Sequence, residues 1–110
     1  MSVLALQPRE VVLFPFPFSD FSARKLRPAL VLAAAGRGDW GLCQITSKAY
    51  GDPEAVPIVD ADFEAGGMQL ASAVRPTKLF TAHETLVDST AGRLNVLAAV
   101  MGKPYQAIFH

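Results

Sequence analysis

Cysteine is nearly absent from this chain: Cys43 is the only one in 110 residues, which excludes an intramolecular disulfide and any cysteine-rich zinc site. Long apolar runs are missing too. No stretch approaches a membrane span, and the opening residues MSVLALQPRE show no charged leader followed by a long apolar core, so a soluble cytoplasmic protein is expected. Net charge is zero, with ten basic and ten acidic side chains, which argues against coating nucleic acid through bulk electrostatics. Among motifs, the chain has no glycine-rich phosphate loop opening a helix, no HExxH or other paired-histidine metal site, no serine nucleophile elbow and no basic amphipathic helix. Internal repeats, low-complexity segments and interdomain linkers are also lacking. No cofactor and no metal are expected.

What is present is apolar. A composition 51% hydrophobic and 18% charged suffices to bury a core in one domain, residues 1–110, and leaves little polar surface to spare. An apolar patch left on so small a domain is usually a contact surface, so a homodimer is expected.

The apolar residues come in short runs. Val11-Val12-Leu13-Phe14 has the β-branched and aromatic content of a buried strand, which Pro15 and Pro17 end or confine to an edge. Residues 19–26 read as a polar, basic loop, residues 28–34 as a second strand, and residues 40–46 as a third after the turn at Gly36 and Gly38. Val56-Pro57-Ile58-Val59 is short and extended, with Pro57 tolerable only on an edge. The paired glycines Gly66-Gly67 predict a tight turn over residues 62–67, and residues 69–74 and 78–82 give two more strands broken near Pro76. Helices between the strands are missing, so a compact β-barrel is favoured over an α/β sheet. Beyond Asp88 the pattern changes: Leu94, Leu97, Val100 and Met101 recur at helical spacing, with Asn95 as N-cap, which predicts a C-terminal helix.

Chemistry concentrates at strand ends. Arg27 precedes Pro28, whose ring fixes its own φ and biases Arg27 toward extended geometry, so a planar, always-charged fork suited to phosphate oxygens is held at a strand mouth. Arg75-Pro76 repeats that arrangement. Thr46 and Ser47 end the third strand, where hydroxyls and backbone N–H groups together grip a phosphate oxygen. Arg24, Lys25, Arg27, Lys48, Arg75 and Lys78 lie in or beside these segments, whereas Asp52, Glu54, Asp60, Asp62 and Glu64 fall in a stretch without Lys or Arg. A basic groove facing an acidic rim is one reading and a mixed solvated surface the other. For Arg75 the alternative to phosphate binding is a structural ion pair with Asp62 or Glu64.

Taken together, Pro15–Leu32, Cys43-Gln44-Ile45-Thr46-Ser47 and Ser72-Ala73-Val74-Arg75-Pro76-Thr77-Lys78-Leu79-Phe80 resemble the PemK/MazF-like toxins of bacterial type II toxin-antitoxin pairs, over roughly residues 8–82. The resemblance implies a mainly β, small SH3-like barrel, here with a C-terminal helix. It implies a dimeric endoribonuclease (mRNA interferase) that cleaves single-stranded RNA without a metal and is blocked by a cognate antitoxin. It assigns catalysis to Arg27, Arg75, Thr46 and Ser47. In such a reaction the 2′-OH attacks the neighbouring phosphate, which needs a proton acceptor, a proton donor and stabilisation of the charged phosphorus centre. Lys25, Lys48, Thr77 and Lys78 are candidates to position RNA, and Phe21, inside the polar loop, to stack on an unpaired base. Trp40 and Phe18 read better as core.

One position departs from the family. Many of its ribonucleases carry Arg-x-Asp, and this chain has Arg75-Pro76-Thr77, whose hydroxyl cannot replace a carboxylate as a base at neutral pH. Asp20, Glu10 and His83 are the candidate substitutes. The alternative function is a non-catalytic barrel of the same fold that binds RNA or a protein partner, a gyrase-type target included. An antitoxin, if acidic and partly disordered, would lie across the basic groove.

Overall fold

β-branched and aromatic residues at alternating positions pair into strands, and here both faces of the resulting sheet are apolar. The computed structural model describes residues 5–17, 24–48, 51–68 and 71–95. Its strands are β1 (Glu10–Pro17), β2 (Arg24–Gly36), β3 (Asp39–Thr46), β4 (Val56–Ile58), β5 (Phe63–Gly66), β6 (Ser72–His83) and β7 (Ser89–Leu94). They form one sheet in the order β4-β6-β3-β2-β1-β7-β5, with every pairing antiparallel. The edge strands β4 and β5 are joined only by residues 59–62, a 3₁₀ turn over Asp60–Asp62. So short a link holds the two edges near each other and curls the sheet into a half-barrel.

Odd residues of β1 and β3 and even residues of β2 fill the inner face: Val11, Leu30, Leu32, Cys43 and Ile45 join Ile58, Val74 and Leu94. The opposite face carries a second cluster, in which Val12, Phe14, Ala29, Val31 and Leu42 pack with Leu6, Ala82 and Val87, flanked by Trp40 and Phe80. Trp40 is thus a packing residue, its Nε1 donating to Glu84 Oε2 at 3.4 Å.

Strand β6 is continuous, yet its register against β3 jumps. Val74 pairs with Ile45 and Leu79 with Cys43, so residues 75–78 stand against Gln44 alone. This outpouching reverses the alternation: Val74 belongs to the inner cluster, while Phe80 and Ala82 face the outer one. The two strands expected over residues 69–74 and 78–82 are thus one, and only its register breaks near Pro76.

Three further sequence expectations are corrected. Residues 24–26 are strand and not loop, because β2 pairs with β1 as far as Arg24↔Pro17. The turn expected over residues 62–67 is largely β5, which pairs with β7, although Gly66 does take a positive φ of 69°. Residues 89–94 form β7, where a change to helical pattern was expected; Leu94 is buried in the inner cluster beside β1 and β5. The predicted C-terminal helix lies outside the described residues, as do Phe18, Asp20 and Phe21. Asn95 is described, and its Nδ2 donates to the Ala61 carbonyl at 3.1 Å.

Candidate functional site

β2 and β3 set the geometry. Leu30 pairs with Cys43 and Ala29 with Gln44, where the pairing of β2 with β3 ends, and just beyond that end Arg27 and Thr46 line one cavity. On the other side of β2, Arg27 pairs with Phe14, whose ring is tilted against Phe80 at a centroid distance of 5.5 Å. The aromatic pair supports the strand end that carries the arginine. Two residues identified from separate segments of sequence thereby line one cavity.

Arg27, Lys25, Thr46 and Ser47 form the polar rim of a cavity of about 590 Å³ at the open mouth of the inner cluster. Its floor is apolar, made by Leu13, Leu26, Pro28, Ile45, Met68 and Ala91, with Gly67 and the buried Ser72 beside them. Leu26 remains 47% exposed there. A rim of cations and hydroxyls over an apolar floor suits a ligand with anionic and flat apolar parts. Thr46 is prepared for donation. Its Oγ1 accepts the Lys48 backbone N–H at 3.0 Å, which closes the turn after β3 and leaves the hydroxyl hydrogen to donate elsewhere.

Arg75, Thr77 and Lys78 do not line the cavity. They occupy the β6 outpouching, next to Gln44, which precedes Thr46 by two residues and so shares its face of β3. Arg75 is half-buried and engaged: Nε donates to Asp52 Oδ2 at 2.6 Å and Nη1 to Gln44 Oε1 at 3.3 Å. The ion pair has therefore formed with Asp52, not with Asp62 or Glu64. Glu64 instead bridges Arg9 at 3.2 Å and Arg93 at 3.1 Å, and Asp62 Oδ2 accepts the Val59 N–H. Asp52, Asp62 and Glu64 thus serve local ion pairs and turns. The hydrogen bond from Arg75 holds the Asp52 carboxyl below its ordinary range, helped by the charges of Arg75 and Lys78.

Beneath this segment the Cys43 thiol donates to the Arg75 carbonyl. Burial pushes that thiol up to about 12, outweighing the opposing influence of Arg75, so it stays protonated and unreactive at neutral pH. Two of the substitute bases lie elsewhere. His83 pairs with Asp39 at the opposite end of β3 from Thr46, roughly 23 Å along the strand at 3.3 Å per residue. It is held by Thr85, with Nδ1 2.8 Å from Oγ1. Glu10 is buried, accepts the Gln7 N–H at 2.7 Å and pairs with Arg93, far along β1 from the residues opposite Arg27. No cluster of potential metal ligands occurs among the described residues.

Gln44 and Ser72 are polar residues that reading the sequence did not single out, and Asp52 was named only within the acidic stretch. Gln44 and Ser72 sit inside the segments that carry the resemblance, so their proximity to Thr46 and Arg75 was a usable signal. The pairing of Asp52 with Arg75 had no local signal, because a loop brings it back to β6.

Neither a protein-family model nor a curated protein sequence matches the chain. Solved structures do. A MazE-MazF complex from Deinococcus radiodurans aligns with a TM-score of 0.69 at 20% identity, covering 94% of this chain and 96% of that one. The Mycobacterium tuberculosis toxin MazF-mt6 aligns at 0.63 and 21% identity, over 89% and 97%. An endoribonuclease in complex with its cognate antitoxin, from a mycobacterial species, aligns at 0.68 and 17% identity, over 94% and 91%. The curled seven-stranded sheet is therefore the PemK/MazF-like toxin fold.

Proposed function

We propose that this single-domain chain is the toxin of a type II toxin-antitoxin pair, an endoribonuclease that cleaves single-stranded mRNA. The observation that carries the reading is the gathering of Lys25, Arg27, Thr46 and Ser47 around one cavity, just beyond the end of the β2–β3 pairing. The 2′-oxygen attacks the adjacent phosphorus as its proton passes to a base. The P–O5′ bond breaks, and the 5′-oxygen takes up a proton. Products are a 2′,3′-cyclic phosphate and a free 5′-OH. Arg27 and Arg75 hold the phosphate oxygens, and Thr46 and Ser47 add donors; the charge on the phosphorane is met by groups already in place. Lys25, Lys48, Thr77 and Lys78 position the chain of phosphates. No residue of this scheme needs a metal.

A homodimer in the cytoplasm, held in check by a cognate antitoxin lying over the groove, completes the reading. Neighbouring folds solved as a MazE-MazF complex and as an endoribonuclease with its antitoxin support the antitoxin partner.

The test is incubation of the purified protein with mixed-sequence single-stranded RNA in excess EDTA, beside Arg27→Ala. Cleavage with cyclic-phosphate ends is expected, slowed roughly 10²–10³-fold by Arg27→Ala if the arginine stabilises the transition state. Intact RNA with the native protein overturns the reading. It would favour a non-catalytic RNA-binding barrel, for which the specific observation is Thr77 in place of an acid.

A further inference from the structure

Arg75 stands in a part of β6 where no ladder neighbour directs its side chain, since residues 75–78 face Gln44 alone. Two polar groups direct it instead. Gln44 takes Nη1 at 3.3 Å, and Asp52, 23 residues earlier in sequence, takes Nε at 2.6 Å. Asp52 is itself anchored. Its Oδ1 accepts the Glu54 N–H at 3.0 Å, closing a turn in the loop between β3 and β4, and its side chain is only 10% exposed against 28% for Arg75. With Nε and Nη1 pinned, a planar guanidinium has one orientation left, and Nη2 meets no hydrogen-bond partner among the described residues.

Position 77 offers Arg75 no local carboxylate, and the exposed Thr77 makes no hydrogen bond among the described residues. The geometry points to Asp52 as the positioning residue for Arg75: from the β3–β4 loop it holds the guanidinium and aims its outer donors at an RNA phosphate beside the cavity lined by Arg27 and Thr46. This rests on the RNA-cleaving reading above. Asp52 does not serve as the base. Both its oxygens are engaged, and its pairing with Arg75 makes it a poor proton acceptor. Its service is orientation, the property most easily lost when a group supporting a reacting residue is removed.

The test compares native protein, Asp52→Asn, Arg75→Ala, the Asp52→Asn/Arg75→Ala double variant and Asp52→Asn/Thr77→Asp. Each is assayed for cleavage of a mixed-sequence single-stranded RNA and for binding of its 2′-O-methyl analogue, which lacks the attacking hydroxyl. Asp52→Asn is expected to lower kcat roughly 10–100-fold with a smaller change in KM, the pattern of a misaimed group. The double variant should fall no further than Arg75→Ala alone, because both substitutions remove one function. Thr77→Asp alone is compared as well, since an acid at 77 can act as a base; its addition to Asp52→Asn should restore activity beyond the gain it gives the native protein, an outcome that also shows that variant to be folded.

Native-like cleavage by Asp52→Asn, additive losses in the double variant, or tighter analogue binding by Asp52→Asn each overturn the assignment. The last would make Asp52 a competitor for the arginine. If native protein binds the analogue without cutting RNA, the cleavage reading alone falls, and the coupling of Asp52 to Arg75 is then read from analogue affinity. Native protein that neither binds nor cuts overturns both.

Discussion

At the scale of single residues, the site divides by how its parts are held. Arg27 is fixed locally, by the proline that follows it and by its pairing with Phe14 of β1, so the string Leu26-Arg27-Pro28 was enough to mark it as a candidate. Thr46 was legible for the same reason, as a hydroxyl ending a strand. Arg75 was recognised, but its partner was not, because Asp52 reaches it through a loop whose path no local pattern encodes. That ion pair has a signature in acid. Arg75 depresses the Asp52 carboxyl below its ordinary 3.8, so the pair contributes stability above that pH, and the contribution is lost as pH falls through the lowered folded value. Urea unfolding as a function of pH should therefore show the native protein more stable than Asp52→Asn at neutral pH, with the gap closing below about pH 4. A gap independent of pH would mean that the carboxylate is not paired in solution.

Among the elements, strand existence was read well and strand continuity less well. β1, β3 and β4 follow their apolar and proline patterns closely, including Pro57 on the edge strand β4. β5 and β7 were missed since each is short and made partly of small residues, Phe63-Glu64-Ala65-Gly66 and Ser89-Thr90-Ala91-Gly92-Arg93-Leu94, whose propensity for strand is weak until they pair. Small residues there have a steric cause. A Cβ on Gly66 would lie 2.2 Å from the Ala91 carbonyl oxygen and 2.6 Å from the Gly92 Cα, at a φ of +69°. Gly36 also has a positive φ, +96°, but open space around it. Gly66→Ala should therefore cost roughly 2–4 kcal/mol, combining left-handed strain with overpacking, and Gly36→Ala roughly 1–2 kcal/mol from strain alone. Thermal melts of the two variants would check the order, and equal costs would count against close β5–β7 pairing.

For the whole molecule, the unusual property is a sheet apolar on both faces. Antiparallel sheets commonly leave one face in water, yet Val31 and Leu42 on the outer face are as fully buried as Leu30 on the inner one, each at 0% exposure. Leu30→Ala and Leu42→Ala are both expected to destabilise by about 2–5 kcal/mol, measured by chemical unfolding. A cost at Leu42 of only a few tenths would show the outer cluster to be a loose surface patch. The high hydrophobic fraction thus has a structural use beyond a contact surface. Sequence alone determined the class of fold, through β-branched runs, proline breaks and the lack of intervening helices, and it named the arginines and hydroxyls of the site, because those signals act within a few residues. Only the tertiary structure decided which of these groups meet. Arg27 and Thr46 come to one cavity beyond the end of the β2–β3 pairing, and the outpouching of β6 with the return of the β3–β4 loop gives Arg75 to Asp52. Both depend on pairings between residues far apart in the chain, set by the packing of the whole sheet and not by any local preference.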